Sequence, residues 1–186
     1  MFAAAMTLAI MMQAPTGAPA QEPTDDAIAA IALPEAQLRG MLARTVFSTQ
    51  TMAMGAFTLG IPEACAVTRP AFEQAVQTEL PRWRANLIQA YRTTVPKDTL
   101  AAAAAGGPTN GSPLLLPHLS AIGSAMQIAS EPVLKEAAAL VLTSVMTKAG
   151  QADPSKVDKT KRMDEMKQAM ADGSLFCGLQ PTDGAN

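Results

Sequence analysis

The stretch 130-SEPVLKEAAALVLTSVMTK-148 decides the fold. Val133, Leu134, Ala137, Ala138, Val141 and Val145 recur at the spacing of one apolar stripe on a helix of 3.6 residues per turn. Lys135, Glu136, Thr143, Ser144 and Thr147 take the other side. Ser130 is placed to cap the first turn, Glu131 suits the positive helix end, and Pro132 is tolerated there. Lys148 and Gly150 mark the far end. At 1.5 Å per residue such a helix runs roughly 28 Å and needs other helices to cover its stripe.

Working outward, the same periodicity recurs while strand-like runs of Val, Ile, Thr and Tyr are missing. Alanine is abundant and aromatic residues make up 4% of the chain, a composition suited to helices packed through small side chains. The expectation is an all-α, single-domain bundle of six to seven helices over residues 21–180, with residues 181–186 as a disordered tail. Thr24 with Asp25 and Asp26 starts a short helix. Leu33-Pro34-Glu35 starts a long one that runs to Gly60, and Pro62–Thr68 reads as a connector. Thr68 caps the next helix, which breaks at Pro81. Val95–Asp98 opens an alanine-rich helix ending at Gly106-Gly107, followed by the loop Pro108–Pro113. A helix from Pro117 leads into the opening stretch, with Gly123 allowing close helix approach. The last helix is Lys159–Ala171, stopped by Gly173.

Phe2–Met12 is apolar except for Thr7, too short to span a bilayer but the length of a signal-peptide core. Ala18-Pro19-Ala20 supplies small residues for cleavage before Gln21, so residues 1–20 read as a leader to the periplasm or exterior. No Lys or Arg precedes the apolar run, which leaves an ordinary N-terminal helix as the competing reading. No cysteine stands directly after that run, so a lipid anchor is unsupported. No later stretch is long and apolar enough for a membrane span. A formal net charge of −2 suits nucleic acid poorly, because such affinity comes from neutralising phosphates. Cys65 and Cys177 are the two cysteines, and an even count in an exported chain suggests one disulfide. Closing so long a loop is credited with about 4–5 kcal/mol. Two buried free thiols are the alternative.

Few residues point to chemistry. His118 is the single histidine, which excludes two-histidine zinc sites, and no Gly-x-Ser-x-Gly presents a serine to it. Glu73, Glu79, Glu131 and Glu136 are candidate carboxylates for a hydrolase of cell-envelope glycans, although acids suit helix surfaces in any case. Met52, Met54, Met163, Met166 and Met170 offer thioethers at a spacing that suits Cu(I). On an amphipathic helix, however, Met163, Met166 and Met170 also read as core positions. Arg82, Arg84 and Arg92 flank Trp83 and Tyr91, with the aromatic residues expected inside and the arginines in solvent. No phosphate loop or dinucleotide fingerprint occurs, and no cofactor is expected.

Trp83 with Tyr91, Val95-Pro96-Lys97-Asp98-Thr99-Leu100, Ser112-Pro113 and the apolar segment with Pro117, Ile122 and Met126 form one pattern. From Trp83 to Met146 it resembles an uncharacterised family of bacterial secreted or periplasmic helical domains. The family usually has an aromatic pair before the Ser-Pro step, where this chain has Ala105–Gly111. The resemblance implies a periplasmic helical domain and carries over no catalytic residue. The function expected from the sequence is therefore a non-catalytic interaction or binding module of the cell envelope, its partner an envelope protein or a small ligand. The alternatives are the carboxylate hydrolase and a periplasmic Cu(I)-binding protein.

Overall fold

The computed structural model describes residues 22–179; the expected leader and its cleavage site, and the tail 181–186, lie outside the described residues. Seven α-helices follow in order: α1 Asp25–Ala32, α2 Pro34–Phe47, α3 Gln50–Leu59, α4 Ile61–Thr94, α5 Lys97–Leu115, α6 Leu119–Gly150 and α7 Lys159–Asp172. Three single 3-10 turns lie at Leu116–His118, Pro154–Lys156 and Ser174–Phe176. Among the described residues there is no strand, and no helix is long and apolar enough to cross a membrane.

The two longest helices, α4 and α6, pack along each other and form the spine. Val133, Ala137, Ala138, Val141 and Val145 of α6 are buried as the periodicity requires. They meet an α4 face that includes Phe72, Ala75, Val76, Trp83 and Leu87 in one continuous core. α2 and α3 each pack against both helices of the spine, and α1 packs against α4 and α5. Gly55 permits a close crossing of α3 and α6, because a Cβ there would stand 2.3 Å from Val145 Cγ1. Gly123, expected to serve such an approach, is exposed with nothing nearby.

Ser130 does not begin a helix. It is buried within α6, its hydroxyl donating to Met126 Sδ at 3.7 Å while Asn86 Nδ2 of α4 reaches it at 3.4 Å. Asn86 also donates to Ala129 O at 2.8 Å, one turn before Pro132, where a proline loosens the carbonyl ladder. In α4, likewise, Cys65 and Thr68 are interior rather than connector and cap, and the expected break at Pro81 is absent. Pro70 and Pro81 are eleven residues apart, about three turns, and both are exposed, so they share the solvent face of α4, where a freed carbonyl is open to water.

The long helix expected from Pro34 to Gly60 is instead two. The chain breaks at Ser48-Thr49, where the Thr49 hydroxyl accepts from Met52 N at 3.1 Å and caps α3. The expected loop Pro108–Pro113 is helical. Gly107 turns the chain at φ 66° and ψ −171°, and Pro108 then occupies a first-turn position where its missing N–H costs nothing.

Cys65 and Cys177 form a disulfide, joining the start of α4 to the tail after α7. The tail is held twice more. Arg69 Nε donates to Cys177 O at 2.9 Å, and Phe176 meets Phe47 edge to face at 5.5 Å.

Candidate functional site

α1 ends and α2 begins at one residue, Leu33, which adopts left-handed backbone angles of φ 48° and ψ 58°. Its N–H bonds to Ala29 O and its carbonyl accepts from Gln37 N, so a single residue closes one helix and opens the next. Gly or Asn normally fills such a position, since a Cβ makes this conformation costly by about 1–2 kcal/mol. Core packing does not account for the exception, because Leu33 is 50% exposed. Gln37 Nε2 donates to Ala32 O at 2.7 Å and satisfies the last turn of α1, whereas the first turn of α2 has no side-chain cap.

This elbow and α4 enclose an open groove of about 610 Å³, within the range of small-ligand sites. Its walls are mostly apolar: Ala29, Ala30, Leu33, Pro34, Ala36 and Leu80. Glu35, Arg39 and Arg84 supply the polar rim. Arg39 is committed, donating from both terminal nitrogens to Glu73 at 2.7 Å and from Nε to Glu35 at 2.9 Å. These contacts raise its pKa further, the Glu73 bond most of all, and hold the Glu73 carboxyl below its ordinary value. Arg84 is looser. Among the described residues it pairs with Asp26, whose side chain is 90% exposed. Such surface pairs contribute about 0–1 kcal/mol and exchange readily.

No protein family, curated protein or solved structure matches the chain. The site is therefore read from its own residues.

The four candidate carboxylates are dispersed into ion pairs. Glu73 belongs to Arg39 and Glu131 to Lys135 at 2.6 Å, and both partners lower the carboxyl pKa. Glycan hydrolysis needs one carboxyl kept protonated by a raised pKa, the opposite of this effect. Glu79 and Glu136 are brought together, but across the Arg82 guanidinium, which bonds to both. That arrangement ties α4 to α6.

The methionines are likewise spread. Met52 is buried, its sulfur 3.9 Å from the Thr68 hydroxyl, while Met54 lies two residues on, about 200° around α3, and is 55% exposed. Met163 and Met170 are exposed rather than core, Met166 is half-buried, and Ala169 is the buried residue of α7. Among the described residues no three His, Cys, Asp or Glu side chains group around a possible metal position. His118 is half-buried in the 3-10 turn before α6.

Trp83 and Tyr91 are buried, and burial pushes the Tyr91 hydroxyl up. Around them Arg84 pairs with Asp26, and Arg92 with Glu22 and Asp25. The arginines thus tie α1 to α4. Sequence periodicity did not single out the elbow, because a leucine before a proline carries no signal for a left-handed turn.

Proposed function

We propose that the chain is a non-catalytic binding module of the bacterial cell envelope, with the groove between the α1–α2 elbow and α4 as its site. The observation that carries this reading is Leu33. A strained residue that is not core tends to persist where it serves a function, and Leu33 forms part of the groove wall. The apolar walls with a few polar groups at the rim have the composition of a small-molecule site. Export rests on the leader-like residues 1–20, is favoured by the Cys65–Cys177 bridge, and agrees with the secreted helical domains that Trp83–Met146 resembles.

The test is export followed by native mass spectrometry. Protein recovered from the envelope fraction should begin at Gln21, gain two mass units on reduction and carry a noncovalent small-molecule adduct. Ala30→Phe, which fills the groove, should remove the adduct without changing helicity. An adduct that survives Ala30→Phe, or hydrolysis of cell-wall glycan by the purified chain, would contradict the reading.

A further inference from the structure

Resting on that groove, we infer that its ligand is a single-chain amphiphile with a carboxylate head, a free fatty acid. Three observations on the groove converge on that class. Its walls are alanine, leucine and proline side chains, which suit a hydrocarbon chain. Most backbone N–H and C=O groups along those walls are consumed within α1, α2 and α4, so an extended peptide would leave most of its amides unpaired there. A helical peptide about 10 Å across would fit only about one and a half turns into this volume.

Charge selects the head group. Arg39 is shared between Glu35 and Glu73, a set of net charge −1 that leaves no cation on the α2 wall for a ligand. Arg84 on the α4 wall is the cation free to change partners, since an incoming carboxylate would replace the largely exposed Asp26 with a partner anchored by its own buried chain. The uncapped first turn of α2 adds backbone donors to the same groove and strengthens the preference for an anion.

The experiment is calorimetric titration of the full chain with sodium decanoate, below its micelle-forming concentration, beside decyltrimethylammonium and the neutral decyl maltoside. Decanoate should bind at one site and the cation at least about tenfold more weakly. Arg84→Gln should weaken decanoate by at least about tenfold. Asp26→Asn, which removes the competing carboxylate, should strengthen it about two- to threefold, a gain that misfolding cannot produce. Equal binding of all three amphiphiles, abolished by Ala30→Phe, would overturn the carboxylate assignment and leave the groove as the site. Decanoate affinity unmoved by both Arg84→Gln and Asp26→Asn would also overturn it. An apolar peptide that binds more tightly than decanoate and is lost in Ala30→Phe would overturn the fatty-acid assignment. If none of these probes binds, both the assignment and the groove reading fall.

Discussion

The α4–α6 spine and the α1–α2 elbow solve opposite problems with the same kind of residue. In the spine, Val133, Val141 and Val145 are wholly buried on regular helix, and polar groups enter as ties, such as Asn86 across to Ala129. At the elbow, Leu33 is half-exposed on backbone that a leucine disfavours, and alanines line an open groove instead of closing it. Apolar surface in the spine contributes stability. At the elbow it remains accessible, and that difference is why the binding site is proposed there.

The sharpest way to break the comparison is to put the same charge in both places. Val141→Asp buries a carboxylate with no partner and should cost more than about 4 kcal/mol, unfolding the protein. Ala36→Asp, in the exposed first turn of α2, should change stability by less than about 0.5 kcal/mol. Circular dichroism during urea denaturation measures both, and a folded Val141→Asp protein with an unchanged midpoint would show that the spine is misplaced. Removing the disulfide by Cys65→Ser with Cys177→Ser should cost about 2–5 kcal/mol and expose α7 amides to hydrogen exchange before those of α6.

The elbow's own ties are weaker. Glu73 is held below the usual carboxylate value of 4.5 by Arg39, so its contribution is present above that pH and is lost as pH falls through the lower folded value. Glu73→Gln should therefore cost at most about 1 kcal/mol near neutrality and flatten the acid limb of the stability curve below pH 4.5. Leu33→Gly has a similarly small expected effect on stability, of opposite sign to Glu73→Gln. Relief of about 1–2 kcal/mol of strain is set against about 0.5–1 kcal/mol of added backbone freedom, leaving the protein about 0.5 kcal/mol more stable. Ligand affinity should fall in the same variant, because the groove loses a wall. A loss of stability beyond about 2 kcal/mol would mean that Leu33 is core after all.

How far each region could be read from the sequence follows the same division. The spine's stripe from Val133 to Val145 was legible because its period is helical and its neighbours are regular. Thr24 and Gly173 announced helix ends by the chemistry of caps. Pro81 and Pro132 misled because a proline on the solvent face of a long helix bends it without ending it, and only the packing identifies the solvent face. The break at Ser48-Thr49 was hidden by an apolar period that runs on from Val46 to Met52. The groove was not legible. It joins residues 29–39 to residues 80 and 84, and its decisive feature is a backbone angle at a residue whose identity argues against that angle.

Binding at the elbow is the proposal on which the rest depends. Amide chemical-shift mapping of the isotopically labelled full chain during a decanoate titration tests it most directly. Saturable shifts should cluster on Ala29, Ala30, Leu33, Ala36, Leu80 and Arg84, with Val133–Val145 unmoved. Shifts centred on any other surface, or none at saturating decanoate, would contradict it.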